Sequence, residues 1–360
     1  MHDRRTHAQG ESMRHLLLPL SRLYGLGMAC RNKAFDLGLL KSVDVGVPVI
    51  SVGNMTMGGT GKTPLVEYIV GACLEKGRHV AVVSRGYKRA SKGVVTVSDG
   101  NRILTDATLG GDEPVQIARK YPRAIVVVGE RRVQAARTAV TGLKADVVIM
   151  DDGFQHRSLR RTLDIVVLDS RKDLFLTPMV PAGERREPVS AIKRADVVAM
   201  SRADQDTGWW RAKAEIAGIP AVHYRYRLDR VMELHPDGER TAAALEDKKM
   251  FLFSGIGDHQ GFVCQARETC RHIVGDMRFP DHHSYSPRDL SAIVEKAKDE
   301  HASALLTTEK DAVRLSGSPV GLKGILRQIP LFYVGIAVDI TQGRDMLYTM
   351  IDKCLAQVGA

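Results

Sequence analysis

The chain has 360 residues, of which 44% are hydrophobic and 26% charged, and it carries a formal net charge of +10. This is an ordinary soluble composition with enough apolar residues for two packed domains, although one large α/β domain fits as well. Five cysteines, an odd number with no pair at metal-ligand spacing, argue against a disulfide framework and for a reducing compartment. The charge calls for an acidic partner or for no partner at all. Nucleic acid ranks below an anionic membrane or a phosphorylated substrate, because no basic stretch is interleaved with aromatic residues.

The start of the chain carries a signal of its own. Residues 1–12 are polar and are predicted to be disordered, and Met13 can serve as the initiator. Residues 13–45 are apolar and cationic, but Pro19 and Arg22 interrupt the apolar run before it reaches the roughly 18 residues of a spanning helix. This pattern predicts an amphipathic segment that lies in a membrane interface, and a helix packed on the protein's own core is equally consistent with it.

The most informative stretch is residues 49–64, where an apolar strand leads into a glycine-rich turn and then into a helix. Backbone N–H groups in such a turn point at the phosphates of a nucleoside triphosphate. In this interpretation Lys62 reaches the β- and γ-phosphates of ATP and the Thr63 hydroxyl holds Mg²⁺. The residues predicted to bind the nucleotide are Thr56, Met57, Gly58, Gly59, Thr60, Gly61, Lys62 and Thr63. An incidental lysine in a glycine-rich turn is the alternative, and the combination of strand, glycines and helix argues against it.

Apolar runs recur along the chain with helical stretches between them, which is typical of a doubly wound, mostly parallel sheet. Helices are predicted to begin at Lys62, near Pro114 and near Arg131. The predicted strands of this first series are 48–53, 80–84, 125–128, 146–150, 164–168 and 197–200. Ligands in such sheets sit at the carboxyl ends of the strands, so the polar residues there are the candidates for a site.

A second series of strands predicts a smaller α/β domain that closes a cleft on the substrate. Its predicted strands are 250–254, 273–278, 304–307 and 331–336. The stretch 226–248 lacks clear periodicity past Glu233 and is interpreted as the connection. The predicted organisation is therefore a membrane-interface segment at 13–45, a P-loop kinase domain at 46–225 and a smaller domain at 226–360.

Acidic residues follow two of the predicted elements. Asp151 and Asp152 come directly after a buried strand, where carboxylates can hold Mg²⁺ beside the glycine-rich loop. Asp112 and Glu113 precede Pro114 at a helix start, where Asp112 could be merely a helix cap. An acceptor hydroxyl, however, needs a carboxylate to take its proton, which makes Asp112 the candidate base. Glu113 is added to the predicted metal ligands.

Several motifs together resemble the tetraacyldisaccharide 4′-kinase family, the lipid A 4′-kinases. They occur in that family's order from about residue 16 to about residue 315, and the family also lacks the first glycine of the general phosphate-loop pattern. The motifs are Gly58-Gly59-Thr60-Gly61-Lys62-Thr63-Pro64, Ser84-Arg85-Gly86-Tyr87, Gly111-Asp112-Glu113-Pro114, Asp151-Asp152-Gly153-Phe154-Gln155-His156, Arg186-Glu187-Pro188, Phe279-Pro280-Asp281-His282 and Thr308-Glu309-Lys310-Asp311.

The resemblance implies transfer of the ATP γ-phosphoryl to the 4′-hydroxyl of tetraacyldisaccharide 1-phosphate, which forms lipid IVA. It implies Asp112 as the base with His282 as its partner, and Lys62 as a catalytic residue that serves ATP. It also implies a peripheral position on the cytoplasmic face of the bacterial inner membrane. The predicted substrate contacts are Arg85, Tyr87, Arg186 and Glu187, and the predicted metal ligands are Thr63, Glu113, Asp151 and Asp152. We expect a monomer that binds no nucleic acid.

Two other functions remain open from the residues. A P-loop nucleotide switch would carry a base-specificity motif after a strand, and Ser201-Arg202-Ala203-Asp204 is a poor likeness of one. A kinase for a soluble sugar or cofactor precursor would not need the N-terminal segment.

Overall fold

The computed structural model describes residues 2–205, 208–209, 218–234, 237–240, 243–316 and 328–357. The strands, in chain order, are β1 (Val49–Asn54), β2 (Val80–Ser84), β3 (Val95–Asp99), β4 (Ile125–Val128), β5 (Val147–Asp151), β6 (Leu163–Asp169), β7 (Val197–Ser201), β8 (Ala221–Leu234), β9 (Asp237–Arg240), β10 (Lys249–Ser254), β11 (His272–Arg278), β12 (Ala304–Thr308) and β13 (Leu331–Gln342). The α-helices are α1 (His2–Asp36), α2 (Lys62–Glu75), α3 (Ala107–Gly110), α4 (Asp112–Lys120), α5 (Arg132–Arg137), α6 (Ala243–Glu246), α7 (His259–Arg267), α8 (Pro287–Asp299), α9 (Glu309–Ser316) and α10 (Arg344–Leu355).

The chain divides into two compact units, and each is built from separate segments. Unit 1 comprises 1–85, 129–225 and 340–360, and unit 2 comprises 86–128 and 226–339. The division at Arg225 coincides with the predicted boundary. A single boundary there would place residues 86–128 in unit 1 and residues 340–360 in unit 2, but the structure places 86–128 in unit 2 and 340–360 in unit 1. Residues 86–128 are thus an inserted segment between two strands of the unit 1 sheet.

Unit 1 has a parallel sheet in the order β7-β6-β1-β5-β2, to which the start of β8 adds beside β7. Every residue of β1, β5 and β6 is buried, as expected for strands with elements packed on both faces. The pairing of Val52 with Asp151 places the end of β5 beside the end of β1. The α/β fold with a P-loop and a mostly parallel sheet is therefore confirmed.

Unit 2 has parallel strands in the order β11-β10-β12-β13, together with the antiparallel pairs β3 with β4 and β8 with β9. Its core on one side consists of aromatic and aliphatic residues of β10 and α8, among them Phe251, Phe253 and Leu290. The predicted second series of strands is confirmed by β10 to β13.

Two local predictions differ from the structure. Residues 226–234 belong to the long strand β8, where the sequence analysis placed a connection. Half-buried and exposed residues alternate from Arg225 to Arg230, which is the period of a strand with one covered face. Residues 2–12, predicted to be disordered, lie in α1, and no proline interrupts the backbone of that helix before Pro19.

Helix α1 packs one face on unit 1 and presents leucines on the rest of its surface. Ser21 is buried and its hydroxyl accepts a hydrogen bond from the Ala182 N–H at 2.9 Å, and the Tyr24 hydroxyl donates to the Arg186 carbonyl at 3.0 Å. The exposed leucines of this helix are Leu16, Leu20, Leu23 and Leu26. Within the described residues, no helix is long and apolar enough to cross a membrane.

Candidate active site

The glycine-rich loop connects β1 to α2 in unit 1. The buried side-chain amide of Asn54 donates to the Thr60 hydroxyl at 2.8 Å and so ties the two ends of the loop together. Gly58 has a φ of +96°, which disfavours any residue with a Cβ. A Cβ added at Gly58 or Gly59 would meet no atom within 4 Å, so the outer surface of the loop is open. The N-terminus of α2, which points at this loop, is the usual place for a phosphate.

Two cations hold Asp152, the residue directly after β5. Lys62 Nζ lies 3.2 Å from Asp152 Oδ1, and Arg186 Nη1 donates to both carboxylate oxygens at 3.0 Å. Burial raises the pKa of Asp152, but the charges of Lys62 and Arg186 outweigh it, so this pKa lies far below its ordinary value. Asp152 is therefore an anion throughout the physiological pH range.

Asp151 lies beside Asp152 in a different environment. It is the last residue of β5, is 2% exposed, and accepts a hydrogen bond from the Ser84 hydroxyl at 3.3 Å. The following Gly153 approaches β1 so closely that a Cβ there would lie 2.5 Å from the Ser51 hydroxyl. This close packing brings the pair of acids to the edge where β1 enters the glycine-rich loop.

These residues fit a nucleotide with Mg²⁺. Within the described residues no three His, Cys, Asp or Glu side chains form a metal cluster, so any metal here must take ligands from elsewhere as well. Mg²⁺ at nucleotide sites does so, since it takes one or two carboxylates and completes its shell with phosphate oxygens and water. Thr63, Asp151 and Asp152 supply such oxygens next to an open loop, and Lys62 supplies a cation.

The predicted base and its partner lie together in unit 2. His282 Nδ1 is 3.2 Å from Asp112 Oδ2, and Arg314 Nε donates to the same oxygen at 2.6 Å. Burial raises the pKa of Asp112, but the hydrogen bond from His282 and the charge of Arg314 more than compensate, so this pKa lies below its ordinary value. Asp112, in the first turn of α4, is an ionised acceptor at neutral pH.

A lysine on α9 completes this group. Lys310 Nζ lies 3.4 Å from His282 Nε2 and donates to Glu113 Oε1 at 2.9 Å. His282 Nδ1 thus faces the Asp112 carboxylate and, at 3.3 Å, Arg314 Nη2, while Nε2 faces the Lys310 ammonium. Burial lowers the pKa of Lys310, but the Glu113 carboxylate raises this pKa by more, so it lies above its ordinary value and Lys310 stays cationic. The partner of Glu113 in the structure is Lys310, and the predicted role of Glu113 as a metal ligand stays a prediction.

The buried carboxylate of Asp311 holds Arg314 in place beside Asp112. Asp311 is 0% exposed and accepts hydrogen bonds from the Tyr285 hydroxyl at 3.0 Å, the Thr308 hydroxyl at 2.7 Å and Arg314 Nη1 at 2.8 Å. Thr308 also caps α9, because its hydroxyl accepts from the Asp311 N–H. Arg314 is thus fixed at both ends, between Asp311 and Asp112.

The predicted substrate contacts are placed differently from one another. Tyr87 is 59% exposed and its ring packs edge-on against the His282 ring, with 5.1 Å between centroids. Arg85 is exposed at the end of β2, and Arg186 binds Asp152. Glu187 is fully buried, and its carboxylate accepts from Arg194 and from Asn32 at 2.7 Å. The substrate roles of all four residues stay predictions.

The sequence reasoning did not identify Arg314. The signal that could have found it is its spacing, because a residue three positions after Asp311 lies on the same face of a capped helix. Lys310 was noticed in the motif that starts α9, but no role was assigned to it.

Comparison with known proteins gives consistent results. The family model described as tetraacyldisaccharide-1-P 4′-kinase matches residues 13–356. A tetraacyldisaccharide 4′-kinase from Chlorobium luteolum is 40% identical over 98% of both chains. One from Anaeromyxobacter is 38% identical over 97% of this chain and 94% of its own. A crystal structure of LpxK from Aquifex aeolicus in complex with ATP superposes with a TM-score of 0.77 at 31% identity, covering 95% of this chain and 99% of that one.

Proposed function

We infer the function from the premise that this chain belongs to the tetraacyldisaccharide-1-P 4′-kinase family. It is an ATP-dependent kinase that phosphorylates the 4′-hydroxyl of tetraacyldisaccharide 1-phosphate and so forms lipid IVA in lipid A biosynthesis. The observation that carries this function is the pairing of an open glycine-rich loop with Lys62 and Asp152 at the strand edge.

We propose that unit 1 binds the nucleotide. The backbone of residues 56–61 surrounds the triphosphate, Lys62 neutralises the β- and γ-phosphates, and Thr63, Asp151 and Asp152 hold Mg²⁺. Bound Mg²⁺ neutralises the charge that develops on the phosphate oxygens. Arg186, already adjacent to Asp152, adds a second cation that can stabilise this charge.

We propose that unit 2 prepares the acceptor. Asp112 takes the proton of the 4′-hydroxyl as that oxygen bonds to phosphorus and the bond to the ADP oxygen breaks. His282 holds Asp112 in place through Nδ1. Tyr87 packs on His282 and is placed to contact the sugar.

One assay tests the activity directly. The purified protein is incubated with labelled ATP, Mg²⁺ and the acylated disaccharide monophosphate, and a bisphosphorylated lipid is the expected product. Turnover of GTP without lipid would favour the nucleotide switch instead. Equal activity on a soluble deacylated disaccharide would favour the kinase for a soluble sugar.

We also propose that α1 places the enzyme at the cytoplasmic face of the inner membrane. The four leucines of α1 are exposed and do not pack on other described parts of the chain. The substrate carries four acyl chains that belong in a bilayer. The double variant Leu20→Asp, Leu23→Asp should lose most of its binding to vesicles of phosphatidylethanolamine and phosphatidylglycerol.

Leu104, an exposed leucine in unit 2, provides the matched control, and Leu104→Asp should bind like the wild type. Unchanged vesicle binding by the α1 variant would remove the membrane role of this helix. We propose that the protein acts as a monomer, which sedimentation at micromolar concentration would test.

A further inference from the structure

Two side chains outside the glycine-rich loop hold its carbonyl groups. Tyr224, fully buried on β8, donates its hydroxyl to the Gly61 carbonyl at 3.1 Å. Arg202, directly after β7, approaches the Gly59 carbonyl with Nη2 at 3.5 Å. Both contacts lie within unit 1.

Arg202 is itself held firmly. Its Nη1 donates to Asp169 Oδ2 at 2.9 Å, and the side chains of this pair are 10% and 4% exposed. The Ser170 hydroxyl donates to the Arg202 carbonyl at 2.6 Å, and the Arg202 backbone adopts a φ of +57°, which is uncommon for a residue with a side chain. Surroundings that maintain this conformation also fix where the guanidinium points.

The contact with Gly61 sets the direction of a donor in the phosphate site. The C=O of Gly61 and the N–H of Lys62 belong to one planar trans peptide and therefore point in opposite directions. The Lys62 N–H is the first of helix α2 and has no partner within the helix. When Tyr224 holds the carbonyl inward, this N–H is directed outward, where a phosphate binds.

We propose that Tyr224 and Arg202 are positioning residues that hold the glycine-rich loop in the conformation that receives the triphosphate. The inference rests on the proposed function, because it assigns them to the same ATP site. They contact the backbone of the loop and leave its outer surface to the nucleotide.

The test is Tyr224→Phe, which removes one hydroxyl and keeps the buried ring. Without the hydrogen bond the loop samples other conformations, so we expect the Kd for ATP with Mg²⁺, measured by calorimetry, to rise about tenfold. Because the loop binds the phosphates before and during transfer, KM for ATP should rise in parallel while kcat stays within about twofold. Arg202→Lys keeps a charge for Asp169 but loses the planar fork, and its Kd should rise about threefold.

Tyr68→Phe is the matched control. The Tyr68 hydroxyl lies 3.2 Å from that of Tyr348, within the same unit and without contact to the loop carbonyls, so its loss should leave the Kd unchanged. An unchanged Kd in Tyr224→Phe, with or without a lower melting temperature, would overturn the inference. An equal rise in Tyr68→Phe would overturn it too. A wild-type protein that binds ATP but phosphorylates no acylated disaccharide would contradict the proposed function alone, since the Kd values still decide the positioning roles.

Discussion

The carboxylate groups of the two units are built alike but from different partners. In unit 1, Asp152 is bound by a lysine and an arginine. In unit 2, Asp112 is bound by an arginine and a histidine. In both, nearby cations keep the carboxylate ionised despite burial.

The Asp152 group and the Asp112 group differ in whether their partners can exchange a proton. Lysine and arginine stay charged at physiological pH, so the Asp152 group suits the binding of phosphate and metal charge. The Asp112 group contains the imidazole of His282, whose two ring nitrogens can serve as donor and acceptor, so this group suits the proposed proton transfer. In the proposed function the two groups divide the two tasks of phosphoryl transfer, neutralising charge and accepting a proton.

The sharpest test of the charge-binding group is Lys62→Ala. We expect kcat/KM to fall about 10³-fold, because the cation on the β- and γ-phosphates is lost. Lys76→Ala, which removes a lysine from the far end of the same helix where it pairs with Asp352, should stay within about twofold of the wild type. Near-normal lipid phosphorylation by Lys62→Ala would contradict the assignment of the nucleotide to this loop.

The corresponding test of the proton-accepting group is Asp112→Asn. The amide keeps the shape but cannot take a proton, so kcat should fall about 10²- to 10⁴-fold. Asp106→Asn is the control, since Asp106 only caps α3 by accepting from the Leu109 N–H and asparagine caps equally well. His282→Ala should lose less activity than Asp112→Asn, and a clearly larger loss would reverse the two roles.

Arg314→Gln separates positioning from proton transfer. Arg314 lowers the pKa of Asp112, so its removal should raise that pKa and move the acid limb of the kcat/KM profile to higher pH. At pH 7 we expect about a tenfold loss of kcat/KM. Arg288→Gln, a change at an exposed position of helix α8, should leave the profile in place. An acid limb that does not move in Arg314→Gln would show that Asp112 is not the group titrating there.

The smallest expected effect concerns stability. Burial and the charge of Arg132 lower the pKa of His156, in the motif after β5, to about 4. The unfolded chain therefore binds a proton that the folded chain does not between pH 6.5 and 4, and stability falls as pH falls through this window. At pH 5 this costs on the order of 2 kcal/mol. His156→Gln cannot titrate, so its melting temperature should fall less than that of the wild type between pH 7 and 5, and parallel decreases would contradict the assignment.

Much of this fold could be predicted because buried parallel strands appear in sequence as continuous apolar runs. Strands β1, β5 and β7 lie within one or two residues of their predicted bounds. Strand β8 was not among the predicted strands, because its alternation of exposed and half-buried residues is confined to the short stretch from Arg225 to Arg230. The placement of residues 86–128 in unit 2 and of residues 340–360 in unit 1 was not predicted, because the predicted domains were contiguous whereas each unit is built from separate segments.

For the candidate site, the motifs identified the residues and the pairing of Asp112 with His282, but not the other partners of these residues. The acids after β5 and the base in α4 follow from position at an element's end, which the sequence displays. Arg314 and Tyr224 act through contacts made by distant parts of the chain. No local pattern distinguishes Tyr224 from an ordinary core residue, and the local signal for Arg314 is its spacing from Asp311. Glu187 illustrates the converse, because its motif suggests a contact with substrate while its carboxylate is buried against Arg194.

The segmented construction of unit 1 affects how the protein is made. Helix α10 belongs to the nucleotide-binding unit, where Arg78 donates to the Leu355 carbonyl at 3.0 Å and Lys76 pairs with Asp352 at 2.6 Å, yet it follows all of unit 2 along the chain. On the ribosome, the ATP-binding half therefore cannot be completed until the acceptor half has been translated.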